Sequence, residues 1–253
     1  MEGKLVASVI ARLAERDLVN QDASRRIQEA MGFLENIVDG LGFCLSEDGD
    51  LLSQWRGFGA DATGVSIGFS TDYLNWLSEE KRASESPFFL NRVEYEPSAH
   101  ESSVAPTYRK VKQHIDAGAF KIPSRPGPLG FGDNHTEEEI TKTIENLNTQ
   151  AAEELTTLFP QLFRLKAYAF REEREWRLLS YLLRNGEDDC LHRVVHDRII
   201  PYRKIELVEL VRHPVAEVIL GPKHGTPTKV VENFLKLNGY GVVKVRRSEA
   251  SYR

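Results

Sequence analysis

Cysteines and long apolar runs are both scarce in this sequence of 253 residues. The two cysteines, Cys44 and Cys190, lie far apart and cannot form a disulfide framework, which excludes the small disulfide-rich secreted folds. So few cysteines suit a reducing compartment, and we therefore predict a cytoplasmic protein. No segment approaches the roughly 18 consecutive apolar residues of a membrane-spanning helix, so we expect no membrane partner.

An excess of basic residues is also missing. The chain has 33 Lys and Arg against 38 Asp and Glu, which gives a formal net charge of -5. Proteins that bind along nucleic acid use Lys and Arg to neutralise phosphates, so this balance does not support a nucleic-acid partner, although it leaves room for a local basic groove. Hydrophobic residues make up 41%, enough to bury one sizeable core or two small ones, which excludes a disordered chain.

Apolar periodicity predicts both helices and strands. Residues 4–40 have the spacing of two helices separated by a turn, and later helices are predicted between Thr136 and Pro160 and between Thr226 and Gly239. Strands are predicted at residues 42–46, 65–69, 91–95, 174–182, 205–211, 215–220 and 241–247. We therefore expect an α+β fold with a mixed, mostly antiparallel sheet flanked by helices. The simplest organisation is a helical arm over residues 1–40 and a single α+β domain over residues 41–253.

The first motif with chemical potential is the segment 50–59, Asp-Leu-Leu-Ser-Gln-Trp-Arg-Gly-Phe-Gly. Arg56 offers a fork of donors that suits a phosphate or carboxylate, and Trp55 offers a flat face for a base or pyridine ring. Ser53 and Gln54 add a hydroxyl and an amide. The alternative is structural, with Trp55 anchoring the core and Arg56 pairing with a nearby acid.

The second motif is the segment 170–177, Phe-Arg-Glu-Glu-Arg-Glu-Trp-Arg, at the predicted start of a strand. If the strand pleat already holds at residue 173, then Glu173, Glu175 and Arg177 project from one face and Trp176 from the other. Two carboxylates on one face can divide catalytic work, one orienting a hydroxyl or stabilising a cation while the other polarises a nucleophile. The alternative is a solvated strand face on which alternating Glu and Arg neutralise each other.

Two further groups of residues have weaker signals. The turn Gly221-Pro222-Lys223-His224-Gly225 precedes a helix and could attract an anion, but a tight structural turn explains the same residues. Cys190, His192 and His196 resemble metal ligands, yet an extended segment places them too far apart for one ion with bonds near 2 Å. We therefore predict no metal site.

Several strings in this sequence together resemble the bacterial domain of unknown function family 2971. The resemblance covers about residues 40–253 and is carried by three groups of residues: 43–69 with the string Ser-Gln-Trp-Arg, 170–179 with the string Glu-x-Glu-Trp-Arg, and the later segments 200–202, 218–222 and 248–253. More distantly, this family resembles the ADP-ribosyltransferase-like folds. In those folds a late-strand Glu-x-Glu motif binds a ribose hydroxyl of NAD and stabilises an oxocarbenium-like transition state.

The resemblance implies an enzyme that uses NAD, an ADP-ribosyl or glycosyl transferase-like effector of phage defence or toxin type. Glu175 would be the catalytic carboxylate and Glu173 its helper, and the substrate-binding residues would be Ser53, Gln54, Trp55, Arg56 and Arg177. This hypothesis needs the bend near Trp55 and the acidic pair near residue 174 to line a common cavity.

One departure from the family motivates a second hypothesis. Family members open with a Tyr-His-Tyr-Thr-like strand, whereas residues 1–40 of this chain are predicted to be helical. We expect a preceding segment or a protein partner to supply that strand. The chain would then be a non-catalytic sensor or partner subunit of a multi-protein defence system. A nuclease is a third class, for which Asp48 and Asp50 supply acids but no catalytic lysine follows them.

Overall fold

The computed structural model of the chain describes residues 3–80, 88–121, 137–183, 190–207 and 213–252. The chain forms two compact units. The helical unit comprises Met1–Asp39, Val93–Ala169 and Leu183–Gly186, and the strand-rich unit comprises Gly40–Arg92, Phe170–Leu182 and Glu187–Arg253. The predicted arm over residues 1–40 and domain over residues 41–253 remain a prediction.

The described residues contain both helices and strands, and the strands pair mostly antiparallel, which confirms the predicted α+β class. The helices are α1 (Gly3–Arg16), α2 (Gln21–Ile37), α3 (Leu52–Gly57), α4 (Thr71–Glu80), α5 (Pro97–Ala117), α6 (Glu137–Thr156) and α7 (Thr228–Leu237). The strands are β1 (Val38–Ser46), β2 (Val65–Phe69), β3 (Phe89–Arg92), β4 (Glu175–Leu183), β5 (Leu191–Val195), β6 (Arg198–Tyr202), β7 (Val215–Leu220) and β8 (Lys244–Arg247). None of the helices among these residues is long and apolar enough to cross a bilayer.

The helical unit is built around one apolar core. Its described helices α1, α2, α5 and α6 contribute the buried side chains, among them Val9, Ile27, Val104 and Leu155. Asn20 caps α2, because its side-chain oxygen accepts a hydrogen bond of 2.8 Å from the backbone N–H of Ala23.

Helix α5 is not among the predicted elements, although its ends have ordinary signals. Pro97 occupies the first turn, where a missing N–H costs nothing, and Gly118 ends the helix in a left-handed conformation with φ of 119°. Tyr108 lies on its buried face and donates a hydrogen bond of 3.1 Å to the carbonyl of Leu13. Burial raises the pKa of the Tyr108 hydroxyl, so it stays protonated as a donor.

The described residues of the strand-rich unit form three small sheets. Their strand orders are β1-β4-β3, β2-β7-β8 and β5-β6. Pairing is antiparallel between β3 and β4, β2 and β7, and β5 and β6, and it is parallel between β7 and β8. The sheets are therefore mixed and mostly antiparallel, as predicted.

The strand predictions differ in accuracy. Those at residues 65–69 and 215–220 are confirmed to the residue. The strand predicted at residues 205–211 is wrong over residues 205–207, which have no regular structure, and its remainder lies outside the described residues. Strand β1 begins at Val38 because α2 passes directly into extended backbone there, four residues before the predicted start.

Candidate functional site

Trp55 is a buried anchor of the strand-rich unit. It lies on the short helix α3, is only 3% exposed, and packs with Ala62 and Ile219. Its indole Nε1–H donates a hydrogen bond of 2.7 Å to Oδ1 of Asp50. The geometry therefore favours the structural alternative for Trp55, since a ring with so small an exposed fraction presents little surface to a ligand.

Asp50 is the centre of a polar network. Besides Trp55, it accepts hydrogen bonds from the hydroxyl of Ser248, from the backbone N–H of Glu249 at 2.7 Å and from Nη1 of Arg246 at 3.4 Å. Burial alone would raise the pKa of the Asp50 carboxyl, but the hydrogen bonds from Ser248, Glu249, Trp55 and Arg246 outweigh it and lower that pKa. Asp50 therefore stays ionised and holds the segment after β8 against the bend at Trp55.

The loop after α3 has an unusual backbone. Ala60, Asp61 and Ala62 have φ values of 48°, 52° and 68°, a run of left-handed residues that normally occur singly. A side chain at Gly59 would lie 2.7 Å from the Trp55 ring, and one at Gly221 would collide with the carbonyl oxygen of Ala62. Because glycines allow these close approaches, the loop packs directly on the bend and on the turn after β7.

A second polar cluster lies at the surface of this loop. Asp61 accepts hydrogen bonds from the hydroxyl of Tyr252 and from Nζ of Lys223, the latter at 2.9 Å. These two bonds lower the pKa of Asp61, and the bond to Asp61 raises the pKa of Lys223. Nζ of Lys223 and Cζ of Arg56 lie 3.8 Å and 5.3 Å from the centre of the Tyr252 ring.

This cluster favours the structural alternative for the turn at Lys223. The backbone N–H of Lys223 donates to the carbonyl of Ala62 at 2.9 Å, so the turn is bonded to the loop through main chain and side chain. Arg56 is exposed, and its guanidinium group lies over the Tyr252 ring. The role of Arg56 in binding a phosphate stays a prediction. Ser53 is exposed and Gln54 half-buried on the same helix.

Glu175 and Arg177 form a buried ion pair on β4. Their side chains are each 8% exposed. Nε of Arg177 donates to Oε1 of Glu175 at 2.8 Å, and Nη2 donates to Oε2 at 3.1 Å. The pair is bidentate, the strongest arrangement of these two groups. The two residues share a strand face as predicted, but that face is buried, whereas the structural alternative expected it to be solvated.

Glu173 lies outside the strand. It ends a 3₁₀ helix, Tyr168–Glu173, and Arg174 then adopts a left-handed conformation with φ of 44°. The regular pleat begins only at Glu175, so the condition under which Glu173 shares a strand face with Glu175 and Arg177 is not met. The helper role of Glu173 therefore has no support from strand geometry.

The turn Ser46–Asp50 connects the two motifs. The hydroxyl of Ser46 donates to the carbonyl of Glu173 at 2.8 Å, and the backbone N–H of Glu47 donates to the carbonyl of Arg174 at 3.0 Å. At its other end, Asp50 holds Trp55. The bend and the acidic segment are therefore linked through one turn, while the cavity that the catalytic hypothesis needs remains a prediction.

The described residues contain no group of three or more His, Cys, Asp or Glu side chains placed to hold a metal ion. In the group Cys190, His192 and His196, Sγ of Cys190 lies 3.9 Å from Nε2 of His192. His196 lies in the β5–β6 turn with φ of 55°.

Comparison with known proteins supports the family resemblance over part of the chain. Residues 54–178 match a family model described as "Protein of unknown function (DUF2971)". The match begins in α3 and ends in β4, so it includes both the Trp55 bend and the Glu175–Arg177 pair, and it spans a little under half of the chain. A search of the curated proteins found no match, and a search of the solved structures found none either.

Proposed function

We propose that the chain is a non-catalytic binding subunit, a sensor or partner in a multi-protein bacterial defence system. The observation that carries this proposal is the buried, bidentate pair of Glu175 and Arg177. These are the residues that the catalytic hypothesis assigns to the transition state and to the substrate phosphates. In this geometry the two groups are joined to each other by two hydrogen bonds.

A catalytic carboxylate must come within hydrogen-bond distance of the reacting atoms, about 2.6–3.2 Å. Glu175 directs both of its oxygens to Arg177, so a substrate would have to displace a charged, bidentate partner from a buried position. Separating such a pair leaves two buried charges and costs several kcal/mol. The arrangement suits a structural element better than a carboxylate poised for chemistry.

The buried Trp55 supports the same proposal. A nucleotide-binding platform needs an open aromatic face, whereas the Trp55 ring is packed with Ala62 and Ile219 and its N–H is bonded to Asp50. Two of the groups that would hold NAD are therefore used in the internal packing of the strand-rich unit.

Calorimetric titration of the full chain with NAD tests this proposal. We expect no heat of binding, no release of nicotinamide, and a stable complex on size-exclusion chromatography with a protein encoded next to it. Heat of binding together with nicotinamide release would overturn the proposal, and so would a chain that forms no complex with any of its encoded neighbours.

An NAD-using ADP-ribosyl or glycosyl transferase is the second candidate. The specific observation in its favour is the turn Ser46–Asp50, which is bonded at one end to the backbone of Glu173 and Arg174 and at the other to Trp55. These hydrogen bonds connect the segment around Trp55 with the segment around Glu173, the two motifs on which the catalytic hypothesis depends. In this reading Glu173, half-buried beside the turn, is the carboxylate to test first.

Two single substitutions at neighbouring glutamates test the second candidate. Glu173→Gln removes the charge of the half-buried residue, and Glu172→Gln does the same at an exposed neighbour as a control. An active enzyme would lose nicotinamide release in the first variant and keep it in the second. Equal activities in both variants would exclude a catalytic role for Glu173.

A further inference from the structure

Among the described strands, β2 lies at the edge of its sheet. In the order β2-β7-β8, its neighbour is β7, and no other described strand pairs with it. The strand reads Val65-Ser66-Ile67-Gly68-Phe69 and contains neither a charged residue nor a proline. An edge of this kind presents backbone N–H and C=O groups that are ready to pair with another strand.

The opposite edge of the same sheet differs in composition. Strand β8 reads Lys-Val-Arg-Arg, and its Lys244 and Arg246 form ion pairs with Glu217 at 3.6 Å and 3.0 Å. Charges on an edge strand, lysine above all, are a common protection against edge-to-edge association. One edge of the sheet is therefore protected by charge and the other is not.

The apolar side chains of β2 are also incompletely covered. Val65 and Ile67 are 44% and 51% exposed, although they pair in register with Leu220 and Val218, which are buried. Residues directly opposite each other in an antiparallel pair share a face, so Val65 and Ile67 extend the buried face of β7 out to the open edge.

We infer that β2 is the contact between two copies of this chain, which pair antiparallel across a twofold axis at Ile67. In that register Ile67 lies opposite its own copy, Val65 opposite Phe69 of the other copy, and Ser66 opposite Gly68. Every facing pair is uncharged, and the apolar residues meet on one face, so the strand is complementary to itself. Such an isologous contact closes on two subunits and joins two three-stranded sheets into one of six strands.

The small size of this contact favours a weak dimer. Five residues from each copy bury less than the roughly 1,200–2,000 Å² of a standard stable interface. We therefore expect a dimer that dissociates on dilution, with the monomer mass of 28.7 kDa at low concentration and twice that mass at high concentration.

Sedimentation of the full chain over a hundredfold concentration range tests the inference, together with the variant Ile67→Lys. The lysine can reach water from this half-exposed position, so the variant should fold, which circular dichroism verifies, yet it places two like charges at the twofold axis. We expect at least a tenfold weaker association. Val194→Lys is the matched control, because Val194 is a well-exposed strand residue of the β5–β6 pair, and it should dimerise like the natural chain.

Hydrogen exchange locates the contact. Amides of residues 65–69 should exchange more slowly at high concentration than at low concentration, whereas those of β8 should not change. A chain that is monomeric at every concentration would overturn the inference. A dimer whose β2 amides are unaffected, or a β2 edge that is protected only by a different protein, would overturn it as well.

Discussion

The two units of this chain are stabilised in different ways. The helical unit has one continuous apolar core, and ion pairs such as Arg16–Glu101 and Lys142–Glu138 lie exposed at its surface. The strand-rich unit has three small apolar clusters among its described residues, and its carboxylates Asp50 and Glu175 are enclosed in polar networks. Buried charge is costly to separate, so the strand-rich unit should respond most strongly to changes at a few polar residues.

The largest effect should come from breaking the buried pair. Glu175→Gln or Arg177→Met alone removes the bidentate partner of a buried charge and should lower the free energy of unfolding by about 3–5 kcal/mol, measured by urea denaturation. The double variant removes both charges and should recover much of that loss. If each single variant were as stable as the natural chain, the pair would contribute nothing and the comparison of the two units would fail.

A core truncation tests the helical unit. Leu155→Ala removes a fully buried side chain of α6 and should cost about 2–5 kcal/mol by the same measurement. Ile140→Ala on the same helix is the control, since Ile140 is exposed and should cost well under half as much. Similar losses at both positions would contradict a single apolar core in this unit.

The stability that the Asp50 network contributes should depend on pH. Asp50→Asn removes the charge that its four donors bind and should cost about 2 kcal/mol at pH 7. Because the pKa of Asp50 is lowered in the folded chain, the carboxylate stabilises the fold above its unfolded pKa, and that contribution is lost as the pH falls through the folded pKa.

The stability difference between the natural chain and Asp50→Asn should therefore shrink below about pH 4. Asp197→Asn, at an exposed turn, should show no such trend. A constant difference from pH 7 to pH 2 would argue against an ionised Asp50 as the centre of the network.

The smallest expected effect is the difference in stability between alanine substitutions at Gly57 and Gly59, which lie in the bend that contains Trp55. Gly59→Ala forces a methyl group to within 2.7 Å of the Trp55 ring and should cost about 1–2 kcal/mol. Gly57→Ala meets no atom within 4 Å and lies in α3, where alanine favours the helix, so it should be neutral or slightly stabilising in thermal melting. The reverse order would mean that the bend is not packed as described.

Local patterns predicted much of the fold. The alternation at Val65–Phe69 and the apolar run Val215–Leu220 have strand periodicity and composition, and the structure confirms both strands. Periodicity alone did not predict their burial, since Val65 and Ile67 are half-exposed whereas Val218, Ile219 and Leu220 are buried in succession. Helix α5 has the same kind of signal in Val104, Tyr108, Val111 and Ile115, spaced three or four apart and all buried. Pro106 interrupts that pattern in sequence, although the helix continues through it.

The candidate site was less predictable, because its partners are distant in sequence. The shared strand face of Glu175 and Arg177 follows from their spacing of two, but nothing local indicates that this face is buried. Asp61, Lys223 and Tyr252 come from three separate segments, and of these only the turn that contains Lys223 was singled out from sequence, as a possible anion site or a tight structural turn. Residue types identified Trp55, Glu175 and Arg177 as candidates but not Asp61 or Tyr252, and the burial of the first three depended on tertiary packing.

The bonds of Asp50 also have a consequence for biosynthesis. Its partners Arg246, Ser248 and Glu249 follow it by 196, 198 and 199 residues. At about 5–20 residues per second, a ribosome needs about 10–40 s to synthesise that stretch. Asp50 therefore lacks these three donors until residue 249 has been translated, and the strand-rich unit can complete its fold only after that point.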